Sequence, residues 1–154
     1  DMTATLTKSG AHWATAYIGK PWVPGATGPG AYDCWGLVRA VLDQQLGISM
    51  PLLGTAYPAE RDNVAAIKTA SRTAGWRQIT GVAEDFDILL MRNLEGSRHV
   101  GVAITANGVR GLLHASGKAF GAVTLGAVCF SPFDTLSSLG FKHLELWRRD
   151  ARAA

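Results

Sequence analysis

Residues 98–116 read RHVGVAITANGVRGLLHAS. Two apolar runs flank Asn107-Gly108, the strongest short-range signal for a two-residue type I′ hairpin turn, because both central positions must accept a positive φ. Such a turn pairs Ala106 with Val109, and the antiparallel register that follows sets His99 opposite Ser116 and His114 opposite Gly101. Along the first strand His99, Gly101 and Ala103 share one face, and Val100, Val102 and Ile104 share the other. His99 and His114 then lie on one face as diagonal neighbours, with Cβ atoms about 7 Å apart, close enough for two imidazoles to meet. The small residues beside His99 predict a surface on which a helix packs closely.

The helix expected there begins at Asp33-Cys34. Asp is a strong N-cap, and Trp35, Leu37, Val38, Val41, Leu42 and Leu46 follow at helical spacing up to Gly47, a natural stop. Gly36 is slim enough for close approach to the strand. Before this helix, residues 19–30 (GKPWVPGATGPG) hold so much Gly and Pro that a long loop is predicted, and a long loop in a small domain is often functional. Ala11 to Ile18 reads as a short helix with His12, Trp13, Tyr17 and Ile18 on one side. After a turn-rich connection from Pro51 to Pro58, Glu60 to Ala74 reads as a second helix closed by Gly75.

From there the pattern shortens. Phe86 to Met91, His99 to Thr105, Val109 to Ala115, Ala122 to Phe130 and Phe141 to Trp147 are apolar or alternating runs separated by Gly, Asn and Pro, which predicts antiparallel strands. Helices first and a meandering sheet second make the class α+β, with a sheet of about five or six strands.

The 154 residues suit one domain, 1–154, and a composition of 47% hydrophobic and 18% charged residues argues against disorder. The net charge of +3 is scattered apart from Arg148, Arg149 and Arg152, a pattern that usually marks a solvated tail. At most it gives a weak preference for polyanions, so neither nucleic acid nor a membrane is an expected partner. No apolar run approaches the roughly 20 residues of a membrane span. The opening DMTATLTKSG lacks the basic-then-apolar pattern of a signal peptide, so the chain reads as soluble. The two cysteines, Cys34 and Cys129, are too few for a disulfide framework.

At the first helical position the Cys34 thiol meets unpaired backbone N–H groups and the helix dipole, which favour a reactive thiolate. A buried small hydrophobe is the other reading of a free Cys, and a structural role is the other reading of a strand His. Together the residues form a nucleophile, Cys34, a base, His99, and a third group, His114, that fixes the base's tautomer. Zinc competes for such side chains, but there is no C-x-x-C or H-E-x-x-H spacing, and Cys with two His would be an unusual site. No metal or cofactor is expected. His12 and His143 have no assigned partner, and Cys129 reads as core.

These residues resemble the NlpC-like bacterial cysteine peptidases, compact relatives of the papain fold that cut peptide bonds in peptidoglycan. The resemblance runs through Pro21-Trp22 and the Gly-rich loop, Asp33-Cys34-Trp35-Gly36-Leu37-Val38, Asp87-Ile88-Leu89, His99-Val100-Gly101-Val102 and Leu113-His114-Ala115-Ser116. It implies a Cys34-His99-His114 triad, a thioester intermediate, and cleavage between D-glutamate and a diamino acid of a stem peptide. Trp22, Tyr32, Asp33, Trp35 and Ser116 are the expected substrate contacts, with Trp22, Tyr32 and Trp35 as groove wall. Trp35 stands where the family usually has Ser, and Trp22 where it usually has Tyr, whose hydroxyl an indole N–H does not replace. Both departures resemble the branch carried by phages and phage-like particles, which implies tail-tip proteins as partners and action in the periplasm or cell wall. The alternatives are another thiol amidase or acyltransferase, whose acyl group a triad does not choose, and a catalytically inactive tail module.

Overall fold

The computed structural model describes residues 12–50, 75–92, 98–117, 119–120, 123–124 and 126–150. The connection from Pro51 to Pro58 and the helix expected over Glu60 to Ala74 lie outside the described residues.

Helix α1 spans Cys34–Leu46, as its capping residues predict. Asp33 stays extended and its carboxylate accepts the Gly36 N–H at 2.6 Å, while Gly47 turns left-handed at φ 68° and its N–H returns to the last turn. The earlier segment is not an α-helix. It forms a 3₁₀ turn over Trp13–Ala16, capped by the His12 ring, and positive-φ Gly19 follows soon after. Too few residues separate these signals to offset the cost of nucleating an α-helix.

Among the described residues eight strands follow: β1 (Trp76–Ile79), β2 (Ile88–Arg92), β3 (Arg98–Ala106), β4 (Val109–Ala115), β5 (Ala119–Phe120), β6 (Val123–Thr124), β7 (Val128–Pro132) and β8 (Lys142–Arg149). Six make one sheet in the order β1-β8-β2-β3-β4-β7, with every pair antiparallel, and β5 and β6 form a separate ribbon. The α+β class and the six-strand sheet agree with the sequence. Three strand details differ. Trp76–Ile79 has too few residues for alternation to register. The run from Ala122 to Phe130 is divided between β6 and β7, and β7 continues to Pro132. β2 begins two residues after Phe86, whose φ of 71° places it in a turn where its N–H reaches the Ala103 carbonyl.

The hairpin has the expected register, with Ala106 opposite Val109 and Val102 opposite Leu113, and Asn107 and Gly108 both at positive φ. The packing of its faces is the reverse of the expectation. α1 covers the face of Val100, Val102 and Ile104, where Leu37, Val38 and Val41 join Ile88, Leu90 and Leu113 in one core. The opposite face holds Leu89, Met91, Ala103 and Leu112, and Leu136, Leu139 and Phe141 from the segment before β8 close it. The branched face offers a helix more apolar area to bury, and burial scales with area. Gly101 serves a different neighbour, since a Cβ there would come within 2.7 Å of Leu112 Cδ1.

At the rim of the sheet Asp87 is fully buried beside β2, and Arg148 from β8 grips it with a two-pronged contact of 2.8 and 2.7 Å. This pair ties the start of β2 to the end of the chain's last strand.

Gly36 has no room for a side chain, because a Cβ would strike the carbonyl oxygen of Ala26 in the Gly-rich loop. Gly36→Ala is therefore expected to lower stability by about 2 kcal/mol, since backbone overpacking exceeds the gain of about 1 kcal/mol in helix propensity. Urea denaturation measures it, and an unchanged or raised midpoint contradicts the close seating of loop on helix.

Candidate active site

Cys34 is set in place by Asp33, which works in two directions. One carboxylate oxygen caps the helix at Gly36, and the other accepts the Gly25 N–H at 3.0 Å. The Asp33 N–H meets the Ala26 carbonyl at 2.9 Å, so loop and helix start form one unit. The β3–β4 ladder stops at Val102 and Leu113, and beyond it the Val100 N–H turns to the Cys34 sulfur. That N–H belongs to the peptide joining His99 to Val100, so the sulfur lies one peptide from the base expected to act on it.

The two imidazoles meet as the register predicts: His99 Nε2 is 2.9 Å from His114 Nδ1. Phe141 stacks on His99 at 4.8 Å between centroids and meets His114 edge-on. On the far side His114 Nε2 lies 2.9 Å from Ser131 Oγ and 3.5 Å from Cys129 Sγ. Neither Ser131 nor Phe141 was a candidate from sequence, and Cys129 borders His114 rather than serving as plain core. The missed signal was Cys129-Phe130-Ser131, an alternation that puts two polar atoms on one face; the pairing of His114 with Cys129 joins strands that are not consecutive in the chain and could not be read from sequence.

The thiolate expected at the helix start is not the resting form. Burial, with Cys34 only 2% exposed, and then the Asp33 charge push its thiol up to about 12, outweighing the N–H groups of Val100, Trp35 and Cys34 itself. Burial, and then its neighbour His114, hold His99 well below the ordinary imidazole value, and burial alone pushes His114 down to about 4. Near neutral pH the site therefore consists of a neutral thiol and two neutral rings.

The expected substrate contacts divide by burial. Asp33 is a capping residue enclosed between loop and helix. Tyr32 and Trp35 are each 3% exposed and sit in the core beside Cys34 rather than on an open surface. Ser116 is buried at the end of β4. Trp22 alone keeps partial exposure, with its ring lying so close on Gly117 that a Cβ there would collide with it. His12 is structural: its Nδ1 accepts the Ala14 N–H and its Nε2 lies 2.9 Å from the Thr105 carbonyl, which pins the 3₁₀ turn to β3. Among the described residues no group of His, Cys, Asp and Glu is arranged to hold a metal ion.

With this geometry in place, comparison with known proteins is informative. The profile of the NlpC/P60 family matches residues 19–125, well over half of the chain and including all three triad candidates. The chain belongs to the NlpC/P60 family. Among solved structures, the NlpC/p60 domain of the peptidoglycan hydrolase SagA is similar, with a TM-score of 0.54 and 19% identity over 95% of this chain and 97% of that one. An N-acetylmuramoyl-L-alanine amidase from Bacteroides uniformis gives a TM-score of 0.57 at 15% identity, covering 96% of this chain and 98% of the other. No curated protein matches. At these identities the structural likeness speaks for the fold: this NlpC/P60 domain is an α+β, papain-like unit of one described α-helix on a six-stranded antiparallel sheet.

Two measurements follow for the NlpC/P60 domain. His99 and His114 have folded-state values below the unfolded one near 6.5, so the unfolded chain binds more protons under acid conditions. Stability should be full above about pH 6.5 and fall as pH drops toward about 4. Urea midpoints across that range test it, and a profile no flatter in His114→Asn would deny these rings their part. Separately, Asp33→Asn keeps a capping oxygen but removes the charge, so the apparent pKa for Cys34 alkylation should fall. A value that stays or rises contradicts the assigned effect of Asp33.

Proposed function

We propose that this NlpC/P60 domain hydrolyses an amide bond of a peptidoglycan stem peptide, between D-glutamate and the diamino acid, by way of a thioester on Cys34. The observation that carries the reading is the placement of the Cys34 sulfur against the His99–Val100 peptide while His99 is held at 2.9 Å by His114. Membership of the NlpC/P60 family supports the substrate class, as does the likeness of its fold to the NlpC/p60 domain of a peptidoglycan hydrolase.

In this reading the neutral thiol gives its proton to His99 Nδ1 as Sγ attacks the carbonyl carbon. The backbone N–H of Cys34 at the helix start faces the developing oxyanion. The C–N bond breaks as the His99 imidazolium protonates the leaving amine, which leaves an acyl thioester. His99 then takes a proton from water, the hydroxide displaces sulfur, and the thiol recovers its proton. His114 holds His99 in the ring orientation and tautomer that these transfers need. Because Cys34 is 2% exposed, the productive complex requires the residues that cover it to shift.

The site of action in this proposal is outside the cytoplasmic membrane, where the substrate lies. Delivery in a phage or phage-like tail belongs to the same proposal and is supported by Trp22 and Trp35 at the two positions where the family usually has Tyr and Ser.

Digestion of purified sacculi with the wild type and Cys34→Ala, followed by mass spectrometry of the new termini, tests it. New D-glutamyl carboxyl ends are expected from the wild type, with Cys34→Ala slower by more than about a thousandfold. Release of whole stem peptides from the sugar would place the cut at the amidase bond instead. No muropeptide product at all would overturn the hydrolase reading.

A further inference from the structure

The hydrogen-bond chain does not end at His114. Cys129 and Ser131 stand two apart on β7, His114 lies opposite Cys129 in the ladder, and both polar side chains point at the far edge of the ring. We propose that Ser131 is a positioning residue of this site: its Oγ accepts the His114 Nε2–H and thereby keeps the Nδ1 lone pair of His99 free for the Cys34 proton. The proposal rests on the hydrolytic reading given above.

A neutral imidazole carries one N–H and one lone pair. The 2.9 Å contact between His99 Nε2 and His114 Nδ1 needs one donor, so two neutral rings have two arrangements. In the first, His99 Nε2–H donates to His114 Nδ1, His114 Nε2–H donates to Ser131 Oγ, and His99 Nδ1 is bare. In the second, every hydrogen is reversed: Ser131 donates to His114 Nε2, His114 donates to His99, and His99 Nδ1 is already protonated. Only the first can receive a proton from a thiol.

Charge decides which arrangement serves the reaction. When His99 becomes an imidazolium, the first arrangement has each donor pointing away from the positive charge, ending on the lone pair of Ser131 Oγ. The second would set the His114 N–H against another N–H. Ser131 is 5% exposed and Phe141 stacks over the rings, so bulk water cannot readily take the place of that oxygen. Cys129 Sγ, at 3.5 Å, is the longer and weaker acceptor. It has a complementary use, because the Ser131 hydroxyl can turn its hydrogen toward that sulfur at 3.9 Å and leave its own lone pair for His114.

The test is ¹⁵N NMR of the histidine-labelled domain, which reads the protonated nitrogen of each ring without any substrate. In the wild type His99 is expected to be protonated at Nε2 and bare at Nδ1, with His114 in the same tautomer. Ser131→Ala should mix or reverse these tautomers and lower kcat on muropeptides about tenfold with KM little changed, the scale of one charge-assisted hydrogen bond. Ser131→Thr, which keeps the oxygen, should restore both. A wild-type His99 protonated at Nδ1 overturns the proposal even if Ser131→Ala fails to fold. So do unchanged tautomers or an unchanged kcat in a folded Ser131→Ala. If the tautomers are as expected but sacculi stay intact, the hydrolytic reading is what fails.

Discussion

A single carboxylate, that of Asp33, joins the Gly-rich loop to the start of α1. One oxygen satisfies an otherwise orphaned helix N–H and the other holds the Gly25 amide, while the Asp33 N–H returns to Ala26. The helix start and the loop are joined, with the thiol between them, because the same side chain closes both. Gly36 completes this arrangement by letting the Ala26 carbonyl sit directly on the helix. Everything else at the site depends on where that unit places one sulfur atom.

The same clamp sets the electrostatics. Hydrogen bonds from Gly25 and Gly36 stabilise the Asp33 charge, but burial works against it and raises its pKa above the ordinary carboxylate value. That charge, added to burial of the sulfur, opposes the thiolate that the helix dipole would favour. A helix terminus contributes on the order of 1 kcal/mol to a nearby charge, whereas full desolvation moves a pKa by several units, so the larger effect decides the resting state. The outcome is a neutral thiol beside two neutral rings.

The candidate groups belong to opposite faces of the sheet. α1 lies on the Val100 face, and the histidines belong to the Gly101 face with Phe141 and Leu112. The β3–β4 ladder ends at Val102, and beyond it the Val100 N–H reaches the Cys34 sulfur, so the sulfur meets the sheet at the level of its backbone rather than across a face. Strand alternation alone would have kept helix and histidines apart.

Local signals in the sequence were enough for the Cys34–Leu46 helix, the Asn107-Gly108 turn and the convergence of His99 with His114, because capping, turn chemistry and strand alternation each act within a few residues. The three triad candidates follow from those short-range rules, whereas the family rests on the resemblance of the motifs that carry them. Where the sequence misled, the answer lay in contacts distant along the chain. Which face of β3 the helix chose was a competition in buried area, the neutrality of Cys34 came from how deeply other elements enclose it, and Ser131 reached His114 only through the pairing of β4 with β7, strands that are not consecutive in the chain. Sequence thus determined which two rings would touch. Tertiary structure alone decided their solvation, their protonation and the residue that completes the chain, since dielectric and long-range register arise only once separate elements are packed together.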